Sequence, residues 1–244
     1  MDTVARFSRP WQLVLTVVLS LLGCAFYCVG VHGYAYAESS DGCVAHILNS
    51  EGIVTETGHI TSFLDSEGKA TTFRNAVRAM PDGGTLQVYS DFIFESQTTQ
   101  NHMALSNKDG SWTIDLGGHK WNVGFSFTGA SSIWTLKNGS LEFPGYQWLS
   151  ITGASSEVTL DGIDLHLTGT ETDEDQTGKM IKQPAVNIGM SVKSVNLKHC
   201  SVKREYATTV PSFATLGSSV SLSLEDTKVD VVEPEGSQPA ILLK

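Results

Sequence analysis

Six segments of the chain repeat one apolar spacing, and this repeat restricts the possible fold more than any other feature. Large apolar residues recur two residues before and five residues after a common reference position. The reference positions are Val88, Leu116, Leu136, Leu160, Leu197 and Leu224. The residue between the first two apolar positions is polar in every copy, which is the period-two alternation of a strand with one buried face.

The step of five residues is odd, so a continuous strand would turn the third apolar residue to the wrong face. The chain must therefore bend in this interval, where turn-forming pairs such as Gly117-Gly118, Asn138-Gly139 and Asp161-Gly162 occur. Strand, bend and strand in register predict an all-β fold, a single-stranded right-handed parallel β-helix whose stacked coils bury the apolar positions. Unequal intervals and the absence of its leucine frame favour this fold over a leucine-rich repeat.

A short helix is predicted ahead of the first coil, which it would cover as a cap. Phe73, Ala76, Val77 and Met80 recur at helical spacing before the turn that starts at Pro81. The predicted organisation is a signal peptide over 1–37, a partly irregular segment over 38–68, the capping helix and turn over 69–84, and the β-helix over 85–244. Residues 239–244 have the pattern of a strand entering a core. The chain either closes its core there or is a truncated piece of a longer protein, which is the alternative that we favour.

The first 37 residues have the pattern of an export signal. Arg6 and Arg9 precede an apolar run, and Ala35-Tyr36-Ala37 has the small residues of a signal-peptidase site. The run is long for a signal peptide, so an uncleaved anchor stays open, as does lipoprotein cleavage before Cys24. We expect an exported protein, extracellular or attached to the cell surface, with membrane contact only through this segment.

Charge and cysteine content restrict the partners and the covalent links. The formal net charge of −10 argues against nucleic acid as a partner. Signal cleavage leaves Cys43 and Cys200, for which one disulfide and two separate buried thiols are equal alternatives. No cysteine or histidine spacing is typical of zinc, and His46, His59 and His102 have no partner at a useful spacing, so no metal site is predicted there.

The segments GGTLQVYSD, WTIDLGGHKW and WTLKNGSLEF, following the predicted helix, resemble the right-handed parallel β-helix proteins of the pectin-lyase-like class. Exported bacterial members of that class often carry an IDLnGH coil followed by an I-x-NG-x-I coil. The resemblance covers residues 69–244 and implies the fold alone, because the class includes lyases, hydrolases, tailspikes, adhesins and surface stalks. The catalytic motifs of its polygalacturonase-type and pectate-lyase-type members are not visible in the sequence.

Outward positions of the predicted coils supply candidate catalytic residues. Glu142, His166 and Lys203 stand six residues after their reference positions, and Asp164 stands four residues after its own. Neighbouring coils lie about 4.8 Å apart, so these side chains are expected to converge, and carboxylates with a histidine suit acid–base cleavage of glycosides. A solvated ladder of opposite charges is the alternative that we favour.

Two further sets of residues are weaker candidates. The long interval before Leu197 contains the acidic segment 168–184, in which Asp173 and Asp175 offer hard oxygen ligands for calcium; a solvated acidic loop is the favoured alternative. Tyr146 and Trp148 follow a Pro-Gly turn and are candidates for stacking on sugar rings, with burial at the edge of the core as the alternative.

These observations favour an exported, non-catalytic protein without a cofactor that binds an extracellular polysaccharide, a cell-wall glycan or another ligand. The first alternative is a polysaccharide lyase or glycoside hydrolase with its site on the coils that carry Glu142 to Lys203. The second alternative is a structural surface stalk. Retention or turnover of polysaccharides separates the three hypotheses.

Overall fold

The computed structural model describes residues 41–93, 103–143, 149–167, 186–204, 214–216, 219–231 and 241–243. The chain divides into two units, Met1–Ala35 and Tyr36–Lys244, and the described residues all belong to the second. Tyr146, Trp148, Asp173 and Asp175 lie outside the described ranges, as does the predicted signal peptide. Within those ranges no helix has the length and apolar character needed to cross a membrane.

The described residues are mostly β-strand, with one α-helix, α1 (Thr71–Ala79). The strands are β1 (Ala45–Leu48), β2 (Val54–Ile60), β3 (Gly84–Val88), β4 (Met103–Leu105), β5 (Ser111–Asp115), β6 (Lys120–Trp121), β7 (Phe125–Phe127), β8 (Ile133–Phe143), β9 (Leu149–Ile151), β10 (Glu157–Leu167), β11 (Val186–Ile188), β12 (Ser194–Lys198), β13 (Ser201–Arg204), β14 (Ala214–Leu216), β15 (Ser221–Glu225), β16 (Lys228–Val231) and β17 (Ile241–Leu243). This content confirms the all-β prediction at the level of fold class.

The strands form two sheets in which the chain alternates as it advances. The larger sheet has the order β15-β12-β10-β8-β5-β3-β1-β2, with β6, β13 and β16 alongside, and the smaller has the order β17-β14-β11-β9-β7-β4. Pairing is parallel from β3 onward, whereas β1 pairs antiparallel with both β2 and β3. β1 therefore runs opposite to the parallel strands, and the hairpin β1–β2 lies at the end of the larger sheet next to β3.

The predicted apolar register holds in the later copies and is shifted in the first two. Leu136, Leu160, Leu197 and Leu224 pair in line on neighbouring strands, as predicted. In the preceding copy, however, the residue opposite Leu136 is Ile114 rather than Leu116. The reason is a longer corner, because both Gly117 and Gly118 adopt positive φ angles of 59° and 88°, and two more residues fit before the next strand.

The same shift affects the first copy. Leu86 pairs with Ile114, and Phe92 rather than Ile93 bridges to Trp121. Phe92 is consequently buried, whereas Ile93 is 48% exposed, which corrects the prediction that Ile93 faces inward. The interior is otherwise as expected at its centre, since Leu136 and Leu160 are almost completely buried.

Aromatic residues fill the interior beside α1. Phe73 on the buried face of the helix lies 5.3 Å from Trp121 between ring centroids, and Phe63 and Phe92 contact the same indole at 5.1 and 5.2 Å. The side-chain amide of Asn107 donates to the Val77 carbonyl at 2.9 Å. The helix predicted from residue spacing is thus present, with Phe73, Ala76 and Val77 on its buried face.

Candidate metal centre

A cluster of four possible metal ligands lies where the hairpin β1–β2 meets the larger sheet. Asp41 and Cys43 precede β1, His46 lies within it, and His59 lies in β2. Gly42 has a φ angle of +76°, and this left-handed turn suits glycine because it has no Cβ atom. The Cys43 amide donates to Asp41 Oδ1 at 3.2 Å, so the segment folds back on itself and both side chains reach the histidines.

An irregularity in the hairpin brings the two histidines together. Leu48 lies opposite Val54, and regular pairing from there would place His46 opposite Glu56. The register instead shifts between His46 and Leu48, so that His46 lies opposite His59. Directly paired residues on antiparallel strands share one face of the sheet, and the imidazole centroids are accordingly 4.9 Å apart in an edge-to-face arrangement.

The donor atoms of the cluster are close enough to share one ion. Asp41 Oδ2 lies 2.9 Å from His46 Nε2 and 3.1 Å from His59 Nδ1. Cys43 Sγ lies 3.8 Å from the same His59 nitrogen. One ligand atom from each of the four residues lies within 4.8 Å of every other.

The cluster is closed on its inner side and open on its outer side. The Cys43 side of the site is buried, with 8% of that residue exposed, and the His46 side chain is 13% exposed. Asp41 and His59 are more accessible, with side-chain exposures of 38% and 56%. An ion could therefore enter from solvent and still be held by a partly buried ligand pair.

Burial and the neighbouring Asp41 both act on the Cys43 thiol. Burial raises the pKa of the Cys43 thiol above its ordinary value, and a hydrogen bond and the negative charge of Asp41 raise the same pKa further. Near neutral pH the thiol is consequently protonated, and a bound divalent cation would displace that proton, as cysteine ligands require. Burial, followed by the Asp41 charge, also raises the pKa of Tyr89.

The donor set matches the preferences of zinc. A thiolate, two imidazoles and a carboxylate are all ordinary Zn²⁺ ligands, at bond lengths of about 2.0–2.3 Å in tetrahedral geometry. Ligand atoms in such a site are about 3.3–3.8 Å apart. Separations of up to 4.8 Å would have to close by about 1–1.5 Å to reach this range. Asp41 Oδ2, at 2.9 and 3.1 Å from the two histidine nitrogens, would have to move slightly away from them.

The structure corrects the prediction that His46 and His59 lack partners, because both contact Asp41 and their rings meet edge to face. His102 lies outside the described ranges. The close spacing of Asp41, Cys43 and His46 is the part of the cluster that can be seen in the sequence. The missing information was the register of β2, which only the irregularity in pairing determines.

Of the two alternatives for Cys43 and Cys200, the structure has the separate thiols and not the bridge. Both cysteines of the described ranges are buried thiols, and the Cys200 thiol donates to the Lys198 carbonyl at 3.1 Å. Cys43 precedes β1 whereas Cys200 follows β12, with β10, β8, β5 and β3 between them. Five strand spacings correspond to about 24 Å, far beyond the roughly 7 Å limit for the Cα atoms of a disulfide.

The outward candidates lie on one face of the larger sheet. His166 pairs with Glu142 on one side and with Lys203 on the other. Asp164, two residues earlier on β10, pairs with Ser140 and Ser201. Glu142 also forms an ion pair with Lys120 of the neighbouring strand. Glu142, His166 and Lys203 thus share one row, while Asp164 lies in the neighbouring row.

Comparison with known proteins gives no further identification. The chain matches no protein-family model, no curated protein and no solved structure. The resemblance to the pectin-lyase-like class therefore rests on the sequence segments quoted above.

Proposed function

We propose that the chain binds one zinc ion through Asp41, Cys43, His46 and His59, and that the ion fastens the hairpin β1–β2 at the end of the larger sheet. The observation that supports this function is the approach of four chemically suitable donor atoms to within 4.8 Å of one another. Three of the ligands come from one short segment and the fourth from the next strand, so the ion would cross-link the two halves of the hairpin.

A stabilising role is favoured over a catalytic one. Four protein donors complete the tetrahedral coordination of zinc, whereas catalytic zinc sites keep one position for water or substrate. β2 is the last strand of the larger sheet in the order of pairing, and such edges are prone to fraying or to pairing with other chains. An ion that binds the folded hairpin and not the unfolded chain would stabilise this edge by mass action.

The experiment is a titration of metal-free protein with Zn²⁺ and with Co²⁺. We expect one ion per chain, a rise in the unfolding temperature with Zn²⁺, and thiolate-to-metal absorption with tetrahedral visible bands for Co²⁺. His59→Gln and Asp41→Asn change exposed ligands and should fold, yet each should weaken binding by more than about 100-fold, since even outer-shell changes cost 10–100-fold.

The matched control is His199→Gln, which removes an exposed histidine far along the sheet and should leave the affinity for zinc unchanged. Absence of a stoichiometric complex at micromolar Zn²⁺, or equal affinity in His59→Gln and the unaltered protein, would refute the proposal.

We further propose that the parallel strands are successive coils of a right-handed parallel β-helix in an exported protein. Support comes from the pairing of β5, β8, β10 and β12 in consecutive order while the chain visits the smaller sheet between them. An experimental structure tests the winding. Mass spectrometry of the secreted fraction tests export, for which the expected mature chain begins at Glu38.

A second candidate function is binding of an extracellular glycan by the outer face of the larger sheet. The specific observation is a line of threonines in register on four neighbouring strands, Thr85, Thr113, Thr135 and Thr159. Hydroxyl groups repeated at about 4.8 Å could hydrogen-bond to an extended polysaccharide. Retention on immobilised polysaccharides without new reducing ends or unsaturated products supports binding. Turnover supports an enzyme. If the protein is neither retained nor active, the structural stalk is the hypothesis that is left.

A further inference from the structure

Tyr89 contacts the side of His46 that faces away from the other ligands. Its hydroxyl lies 3.2 Å from His46 Nδ1, and the two rings meet edge to face with centroids 5.1 Å apart. Tyr89 directly follows β3, and its amide donates to the Val44 carbonyl at 2.9 Å. The backbone on both sides of this contact is therefore fixed by strand pairing.

The two nitrogens of His46 have different partners. Nε2 faces Asp41 Oδ2 at 2.9 Å, on the side of the cluster, whereas Nδ1 faces Tyr89. A neutral imidazole carries one N–H, so a ring that binds a metal through Nε2 must carry its proton on Nδ1. That proton then needs an acceptor at the position of the Tyr89 hydroxyl.

A hydroxyl can serve both states of the ring because it both donates and accepts. Without metal, Nε2–H donates to Asp41 and the Tyr89 hydroxyl donates to Nδ1. With metal on Nε2, the ring proton lies on Nδ1 and the Tyr89 oxygen accepts it. The exchange moves one proton between the ring nitrogens through solvent, and each nitrogen of His46 has a partner in both states; the Tyr89 hydroxyl hydrogen then turns toward solvent.

We propose that Tyr89 is a positioning residue of the metal centre, whose hydroxyl selects the His46 tautomer that presents Nε2 to the ion. This inference rests on the proposed zinc binding. It adds a link from the ion through His46 to the end of β3, the first strand of the parallel part of the sheet. Metal-ligating histidines generally have such a partner on the second nitrogen, and its loss costs about 10- to 100-fold in metal affinity.

The test is Tyr89→Phe, which removes the hydroxyl oxygen and keeps the ring. We expect zinc affinity to fall about 10- to 100-fold with the stoichiometry unchanged, and the visible bands of the Co²⁺ complex to shift. Ser223→Ala is the control, since it removes an exposed hydroxyl on β15, at the opposite end of the larger sheet from the cluster, and should alter neither readout. Unfolding temperatures of the metal-free variants separate loss of affinity from loss of structure.

A second measurement does not depend on folding of the variant. Nitrogen-15 NMR of the zinc complex of the unaltered protein should show a protonated Nδ1 on His46 that exchanges slowly with solvent. A zinc complex in which His46 coordinates through Nδ1, or a Tyr89→Phe protein with unchanged affinity and cobalt spectrum, would overturn the role of Tyr89 while leaving zinc binding in place. Failure of the unaltered protein to bind zinc would overturn both proposals.

Discussion

Gly58 is the residue that permits the hairpin irregularity on which the metal centre depends. A Cβ atom at this position would lie 2.5 Å from the Ile47 carbonyl oxygen and 2.8 Å from Thr55 Oγ1. Backbone oxygens cannot move aside without breaking the pairing of β1 with β2. The local twist that turns His59 toward His46 therefore requires glycine for close approach of the two strands.

Gly58→Ala should consequently destabilise the hairpin and separate the ligands. We expect a loss of about 1–3 kcal/mol in unfolding free energy, the usual cost of overpacking, together with weaker zinc binding. Urea denaturation of the metal-free protein and a zinc titration measure the two effects. Thr57→Ala, a change at an exposed neighbour in the same strand, should have little effect; equal behaviour of the two variants would contradict the role of Gly58.

His199 gives the larger sheet a pH-dependent contact. A hydrogen bond to Asp161, 2.9 Å from His199 Nδ1, is the main cause that raises the pKa of His199, and the charges of Asp161, Asp226 and Glu225 add to it. Because the pKa is raised in the folded state, this stabilisation is complete below the unfolded pKa of about 6.5. It is lost as pH rises through the folded pKa.

The difference in unfolding temperature between the unaltered protein and His199→Gln should therefore depend on pH. We expect the largest difference near pH 5.5, below the unfolded pKa of about 6.5. We expect none near pH 8.5, where the histidine is neutral in both states. Thermal denaturation with a chelator present measures it without a contribution from bound metal. A difference that stays constant over this range would show that protonation of His199 contributes nothing.

At the scale of the element, β8 and β10 are long strands that bend without ending. Asn138 in β8 and Gly162 in β10 have positive φ angles of 58° and 62°, and each bend resets the alternation of inward and outward residues. Asparagine is among the few residues that adopt this conformation readily. Its side-chain amide also donates to Asp115 Oδ1 at 3.1 Å, so one corner is hydrogen-bonded to the next.

The two faces of β10 should respond differently to truncation. Leu160 is 1% exposed, and Leu160→Ala should cost about 2–5 kcal/mol of unfolding free energy through the cavity that it leaves. Thr159→Ala, one residue earlier on the partly exposed outer face, should cost less than about 1 kcal/mol. Denaturant unfolding of both variants provides the comparison, and similar losses would refute the inward assignment of Leu160.

At the scale of the whole molecule, the sequence predicts the interior better than the ends. Period-two alternation identifies the strands, and spacing identifies α1, because both patterns reflect burial of nearby residues on one face. The offset at Leu116 was missed because the sequence contains the two glycines but not their φ angles. The corner between β5 and β6 has four residues, whereas the bends in β8 and β10 are shorter. Both arrangements fit the apolar spacing seen in the sequence.

The metal cluster is less predictable for a related reason. Asp41, Cys43 and His46 are close in sequence, but their convergence with His59 depends on a slip in strand pairing. The outward residues Glu142, His166 and Lys203 are predicted more easily, since parallel strands in register carry equivalent positions into line. Sequence spacing thus predicts which residues share a row, and not which chemistry the row performs.

The pairing of β8 with β10 extends over ten residue pairs without a change of register. Each residue of β8, from Ile133 onward, lies beside its equivalent in β10, from Glu157 onward. On the coil arrangement that we propose, a second copy of β8, placed between β8 and β10, would present to each neighbour the register that these two strands already share. On that arrangement each inserted copy would add one strand spacing of about 4.8 Å, and the number of copies would set the length of the sheet.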